Sequence, residues 1–233
     1  MSFAKGLTLV ALVLSTATAC SSELPVTPTA PSPGTFTTGG GAAPIPSPTP
    51  ERAGLTAPGI RLSAVPKGDG SFDITEELML RGATVRLPLR LPQSGERLQG
   101  MMTATSPRAT DLRVVGDGLP VPLDQTELRK PRNLQLFTAA TKFTLTYRLN
   151  GSTVRSARSK PGRASAAIRP LTAGLDGSLP TDLVVTGGLL NAVCPMLAET
   201  RCAVGETPPL AIRQGIPAAK ALVVLQLDLP RQP

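Results

Sequence analysis

The stretch Phe143-Thr144-Leu145-Thr146-Tyr147-Arg148-Leu149 alternates apolar and polar residues without a break. In an extended strand successive side chains point to opposite faces, so every second residue of this run can enter a core. The same period of two recurs in residues 59–66, 71–81, 85–91 and 221–229. The chain therefore predicts an all-β fold, and the length of residues 56–233 suits a single β-sandwich, immunoglobulin-like in style.

Two short sequences predict turns between these strands. Asn150-Gly151 is the dipeptide most typical of a two-residue β-hairpin, so Arg148 and Arg155 are expected on neighbouring strands of one sheet. Gly68-Asp69-Gly70 predicts a tight turn between strands 59–66 and 71–81.

Glu76 lies on the apolar face of strand 71–81, between Ile74 and Leu78. An unpaired carboxylate in a core is costly, so Glu76 needs a partner or a local bulge. Arg90 and Arg148 are the candidate partners, and a buried Glu76–Arg90 ion pair is the specific expectation. A catalytic carboxylate is the alternative, but a paired structural one is favoured.

The first nineteen residues have the features of an export signal. Lys5 precedes an uncharged stretch, residues 6–19, that is too short to span a bilayer as a helix. Small residues, Ala17-Thr18-Ala19, then lead to Cys20. This segment resembles the lipobox of bacterial lipoproteins, and the resemblance implies that Cys20 is lipidated and anchors the chain to a membrane. The same three residues also fit cleavage by the ordinary signal peptidase, so free secretion is the alternative.

Residues 20–55 differ in composition from the rest of the chain. The part from 21 to 53 holds eight prolines and the run Gly39-Gly40-Gly41 among Ser, Thr and Ala. Such a segment buries too little apolar surface to offset its ordering entropy, which predicts a disordered linker. The predicted organisation is therefore a signal peptide at 1–19, a lipidated cysteine with its linker at 20–55, and a β-sandwich domain at 56–233.

Cys194 and Cys202 are expected to form a disulfide, because exported proteins seldom keep free thiols and lipidation would use Cys20. The chain contains no histidine, and two thiolates alone do not complete a zinc site, so no metal site is expected.

The basic residues of the chain are concentrated in one stretch. The formal net charge is +8, and residues 128–174 contain no acidic residue. On strands this stretch would form one positive face able to contact anionic lipid or phosphate-bearing wall polymer, although a solvated arginine-rich surface without a ligand is the alternative. Nucleic acid is a poor fit after export. The candidate face comprises Arg129, Lys130, Arg132, Arg148, Arg155, Arg158, Lys160 and Arg163.

The absence of histidine excludes Ser-His-Asp and Cys-His catalysis, and no phosphate-binding or dinucleotide motif is present. No catalytic residue and no cofactor are therefore predicted. The acidic residues Asp69, Asp73, Glu76 and Glu77 leave one alternative, a carboxylate-dependent hydrolase acting on wall polymer.

Residues 17–20 resemble the lipobox of bacterial lipoproteins, in which the cysteine is diacylated after cleavage. Residues 69–76, Arg90-Leu91-Pro92 and residues 143–149 are similar to the extracytoplasmic β-sandwich of a family of predicted bacterial membrane proteins of unknown function. The excess of arginine over lysine is similar to uncharacterised lipoproteins of high-GC Gram-positive bacteria. Neither of the last two resemblances implies an activity. The sequence as a whole predicts a lipid-anchored binding or structural module of the cell envelope, open to a protein partner, and not an enzyme.

Overall fold

The structure is a computed structural model that describes residues 54–156, 162–206 and 210–230. The predicted signal peptide, Cys20 and nearly all of the predicted linker lie outside the described residues, as do Arg158 and Lys160. The described residues form strands and two short 3-10 helices, and they contain no α-helix. None of them belongs to a helix able to cross a membrane.

The strands are numbered along the chain. Their bounds are β1 (Gly59–Pro66), β2 (Phe72–Leu89), β3 (Arg108–Gly116), β4 (Leu119–Pro120), β5 (Arg132–Asn150), β6 (Thr153–Arg155), β7 (Arg163–Ile168), β8 (Pro180–Val185), β9 (Leu189–Val193), β10 (Ala203–Val204), β11 (Ala211–Ile212), β12 (Ile216–Pro217) and β13 (Val223–Asp228), with the 3-10 helices at Gly95–Arg97 and Ala218–Lys220.

The strands form two main sheets. One has seven strands in the order β12-β8-β1-β2-β5-β3-β4, and the other has four in the order β6-β7-β13-β9; β10 and β11 form a separate pair. Strands β1 and β8 are parallel, and the other pairs are antiparallel. The predicted all-β sandwich is confirmed.

The core lies between the two sheets. The seven-stranded sheet contributes Phe72 and Leu145, and the four-stranded sheet contributes Ile168 and Leu225, all fully buried. The alternation that predicted the fold is also confirmed: Phe143, Leu145, Tyr147 and Leu149 are buried, whereas Thr144, Thr146 and Arg148 are exposed.

The predicted turn at Gly68-Asp69-Gly70 is confirmed. Gly70 has a φ of 89°, a conformation that glycine adopts without strain. The Asp69 carboxylate accepts hydrogen bonds from the backbone N–H of Ser71 at 2.8 Å and from its hydroxyl at 2.7 Å. These two bonds fix the turn that joins β1 to β2.

The predicted hairpin at Asn150-Gly151 is wrong. Strand β5 already has β2 on one side and β3 on the other, so neither of its edges is free for β6. The chain instead crosses to the four-stranded sheet, where β6 pairs with β7. Gly151 has a φ of 67°, and a Cβ there would lie 2.3 Å from the carbonyl oxygen of Ser106. The dipeptide thus supplies the positive φ for a crossing between sheets.

Strands β2 and β5 form a long ribbon that bends. Their pairing is interrupted at residues 80–83 of β2 and 136–139 of β5, where both strands bulge. Ala109 pairs with Leu149, near the end of β5, and it also forms a bridge with Leu128. Strand β5 begins only four residues after Leu128, and its first residue pairs with Leu89. Both ends of β5 therefore come close to Ala109.

The seven-stranded sheet has two ends, each marked by a row of paired residues. At the entry end, where the described chain begins, Gly59 pairs with Met79, Met79 with Lys142, and the Asp117 N–H bonds to the Lys142 carbonyl at 2.8 Å. At the distal end, Phe72 pairs with Leu149 beside the β1–β2 turn. About seven strand residues separate the two rows, which corresponds to roughly 23 Å.

Candidate functional site

A charge network occupies the distal end of the sheet. Asp73 lies between two cations: its Oδ2 is 2.7 Å from Lys67 Nζ, and its Oδ1 is 3.0 Å from Arg148 Nε. The hydrogen bond from Lys67, and then the one from Arg148, lower the pKa of Asp73. The hydrogen bond between Arg148 and Asp73 also raises the pKa of Arg148. Arg148 is thus held at the surface by an acid from outside the acid-free stretch.

Arg155 reaches the same turn from the opposite sheet. Its guanidinium donates to the carbonyl oxygen of Gly68, and the Thr153 hydroxyl donates to the Gly70 carbonyl at 2.6 Å. Arg155 therefore contacts the turn itself and Arg148 contacts Asp73 just after it, although the two arginines lie in different sheets rather than on adjacent strands. The prediction that Arg148 and Arg155 lie on neighbouring strands of one sheet is wrong, because the chain crosses between sheets at Gly151.

The cations of segment 129–132 follow Leu128, which is fixed beside Ala109 near the distal end. Arg129 pairs with Glu127 at 2.9 Å, Arg132 pairs with Asp124 at 3.7 Å, and Lys130 is exposed. Arg163 begins β7 opposite Asp228, in the four-stranded sheet. The candidate residues that are described therefore do not share one strand face. Four of them have acidic neighbours, two close in sequence and two from distant parts of the chain.

Glu76 is completely buried, as its position in the alternation predicts. Its Oε2 accepts from the Leu171 N–H at 2.8 Å and the Tyr147 hydroxyl at 3.4 Å. Its Oε1 accepts from the Thr172 N–H at 3.0 Å and from the Thr172 hydroxyl. Burial raises the pKa of Glu76 despite these bonds, and burial together with the charge of Glu76 raises the pKa of Tyr147 well above its usual range.

The expected Glu76–Arg90 ion pair is not formed. The four donors around Glu76 are uncharged, Arg90 is exposed, and Arg148 pairs with Asp73. Backbone and hydroxyl donors satisfy the carboxylate without bringing a second charge out of water, which is the less costly arrangement in a core. The segment carrying Leu171 and Thr172 is the part of the site that sequence reasoning missed, since no spacing connects it to Glu76.

The other carboxylates named for hydrolysis have structural contacts. Asp69 fixes the β1–β2 turn, Asp73 bridges two cations, and Glu77 lies 3.4 Å from Arg61. Within the described ranges no group of three or more Cys, Asp or Glu residues is arranged to hold a metal ion.

The disulfide between Cys194 and Cys202 is confirmed. The sulfur atoms are 2.12 Å apart and the Cα atoms 5.8 Å apart, within the range of an ordinary bridge. Both residues are buried, and the bridge closes the loop between β9 and β10.

An exposed apolar tip lies where the β2–β5 ribbon bends, at the entry end. It consists of Phe137, Leu119 and Val85, with exposed fractions of 92%, 67% and 43%. Phe137 and Leu119 line a cleft of about 170 Å³. Two exposed cations, Arg86 and Lys142, lie on the same ribbon.

Sequence reasoning overlooked this tip, although one signal was available. Leu134 and Leu136 keep the alternation of β5, and Phe137 falls out of phase with them. An out-of-phase aromatic residue in a strand is expected either at a bulge or on the surface, and Phe137 is at both.

No protein-family model matches this chain, and no curated protein sequence matches it. Among solved structures, an aminopeptidase N family protein from Idiomarina loihiensis is similar with a TM-score of 0.42 and 16% identity, over 72% of this chain and 29% of that one. An M1 zinc metallopeptidase from Deinococcus radiodurans gives a TM-score of 0.27 and 17% identity, over 73% and 37%. The chain thus spans about a third of the length of these structures, and likenesses this distant assign neither a family nor an activity.

Proposed function

We propose that the protein is a lipid-anchored, extracytoplasmic binding module of the cell envelope. Cys20 attaches it to the membrane, the apolar tip rests on the lipid surface, and the cations of the distal end contact anionic wall polymer. The observation that carries the proposal is the separation of the two surfaces: the apolar tip and the beginning of the described chain share one end of the sheet, and Lys67, Arg148 and Arg155 share the other.

The entry end suits contact with a bilayer for two reasons. The Phe137 side chain is almost fully exposed to water in the free protein. Burying it in lipid would therefore be favourable by about 2 kcal/mol. Arg86 and Lys142 beside it can meet anionic headgroups, each favourable by about 1 kcal/mol near such a surface. The described chain begins at this same end, so the linker from Cys20 would join the domain on the side of the tip.

The distal end suits an extended anionic polymer. Arg155 makes its hydrogen bond to a neutral carbonyl, so its charge is not offset there by an acid, and Lys130 is exposed. Polymer phosphates would add to these contacts mainly through charge, so the interaction should weaken steeply with salt.

Cell fractionation tests the anchor. The parent chain is expected in the membrane fraction with incorporated fatty acid, and Cys20→Ser is expected in the soluble fraction without it. A parent chain that carries no acyl label, or membrane retention and acyl labelling that are both unchanged in Cys20→Ser, would remove lipidation of Cys20 from the proposal.

Binding by the full chain with Cys20→Ser, which removes the anchor, tests the two surfaces separately. Phe137→Ser should weaken flotation with anionic vesicles, whereas Phe137→Leu, the matched apolar control, should preserve it. Lys130→Glu with Arg155→Glu should abolish salt-sensitive binding to isolated wall polymer and leave flotation unchanged. Equal binding by the charge-reversed variant and its parent would refute the role of the distal end.

A further inference from the structure

Two arginines lie together where the end of β2 meets the segment after β7. The N–H of Arg90, directly after β2, donates to the carbonyl of Leu171 at 2.8 Å. The Arg90 side chain lies over Gly174, since a Cβ built there would be 3.3 Å from Nε and 3.4 Å from Cδ. Arg169 directly follows β7 in this same segment, two residues before Leu171, so both arginines belong to one junction of the fold.

Neither guanidinium has an acidic partner among the described residues. The ion pairs found there involve other cations. Of the acidic groups near this segment, Glu76 is engaged by Leu171, Thr172 and Tyr147, and Asp176 by Arg81 at 2.7 Å. The acids that could have balanced the two arginines are therefore already occupied.

The Nε of Arg169 is buried and has no hydrogen-bond acceptor in the described structure. A buried N–H without an acceptor is costly, and folded proteins rarely retain one that no water or ion satisfies. Burial lowers the pKa of Arg169, and the positive charge of Arg90 lowers it further. An anion between the two groups would supply both the missing acceptor and the missing negative charge.

We propose that Arg90 and Arg169 form a binding site for a phosphate group. Each guanidinium presents a planar fork of N–H donors that matches two oxygens of an oxyanion. A carboxylate has two oxygens and can satisfy one fork, whereas a phosphate has enough oxygens and charge for two. This site uses none of the residues proposed above for the lipid and polymer contacts.

The test is calorimetric titration of the full chain carrying Cys20→Ser, with inorganic phosphate, glycerol 3-phosphate and acetate as probes at constant ionic strength. Saturable binding of the phosphates and none of acetate is expected. Arg169→Gln and Arg90→Gln should each weaken phosphate binding at least tenfold. Arg169→Lys keeps the charge but loses the fork, so it should also weaken binding. Arg108→Gln, an exposed arginine on β3, is the matched control and should bind as the parent does.

Thermal unfolding provides a second readout. Phosphate should raise the melting temperature of the parent and of Arg108→Gln, and it should leave Arg90→Gln and Arg169→Gln unchanged, since a ligand stabilises only a protein that binds it. Arg90 is exposed, so Arg90→Gln remains informative even where Arg169→Gln fails to fold.

The two phosphate probes separate the sources of the ligand. Equal affinity for both identifies a free phosphate site, and at least tenfold tighter binding of glycerol 3-phosphate identifies a phosphate ester of a larger molecule. Equal binding of acetate and phosphate, or parental phosphate affinity in the two glutamine variants, would overturn the proposal.

Discussion

Thr172 holds one oxygen of Glu76 with two hydrogen bonds, from its backbone N–H at 3.0 Å and from its hydroxyl, across 96 positions of sequence. The neighbouring Leu171 N–H binds the other oxygen at 2.8 Å. The buried carboxylate thus joins β2, in the seven-stranded sheet, to the segment that leaves β7 in the four-stranded sheet. Its contribution to stability should therefore depend on donors as much as on the acid itself.

Replacing Glu76 with alanine should lower the free energy of unfolding by more than about 3 kcal/mol, because several buried donors lose their acceptor at once. The loss of unfolding free energy in Glu76→Gln should be smaller than in the alanine variant but not zero, since the NH₂ group of Gln would face an N–H or hydroxyl donor. Urea unfolding measures both. The control is Glu77→Ala, whose partly exposed ion pair with Arg61 should contribute no more than about 1 kcal/mol. Equal losses of unfolding free energy in Glu76→Ala and Glu77→Ala would contradict the structural role assigned to the buried Glu76 carboxylate.

The pKa of Glu76 also predicts a pH dependence. Burial raises it above the ordinary value of 4.5. Between that value and the raised one, the folded protein holds a proton that the unfolded chain has released, so the free energy of unfolding should fall as pH rises through this window. Asp73, whose pKa is lowered, has the opposite effect on stability and only at lower pH. The free energy of unfolding should fall as pH falls below about 3.8, because Asp73 then loses its stabilising charge.

Unfolding measured from pH 4 to 7 in the parent and in Glu76→Gln isolates the effect of this one group. The stability difference between the two proteins should shrink as pH rises, because only the parent loses a proton from the buried site. A difference that stays constant across the range would show that Glu76 titrates normally.

The alternation of residues 143–149 and of residues 71–81 was enough to predict strands, their buried faces and the inward position of Glu76, because these properties depend on neighbours in sequence. The partners of Glu76 could not be predicted, since Leu171 and Thr172 reach it only through the packing of one sheet on the other. The Asn150-Gly151 turn was misread for a related reason. The dipeptide specifies a positive φ, but whether the following strand pairs with the preceding one depends on which edges are already occupied.

The disulfide should stabilise the domain by about 2–3 kcal/mol in the chain-entropy account of a short loop. Replacing both Cys194 and Cys202 with alanine removes the bridge without leaving a single buried thiol, and urea unfolding should show a loss of this size. Mass spectrometry of unreduced, unfolded parent protein should find neither of these two thiols open to alkylation. Modification of both would contradict a bridge in the mature protein.

Gly151→Ala and Gly118→Ala separate two costs of replacing a glycine. Both residues have positive φ, 67° and 83°, so alanine should lose about 1–2 kcal/mol at either site from backbone strain. At Gly118 a Cβ meets nothing within 4 Å, whereas at Gly151 it would lie 2.3 Å from the Ser106 carbonyl oxygen. That oxygen belongs to the backbone just before β3 and cannot move aside as a flexible side chain can. Gly151→Ala should therefore lower the free energy of unfolding by clearly more than Gly118→Ala, by urea titration of both variants. Equal losses would mean that the crossing between the sheets tolerates a side chain, and that Gly151 is required for its dihedral angle alone.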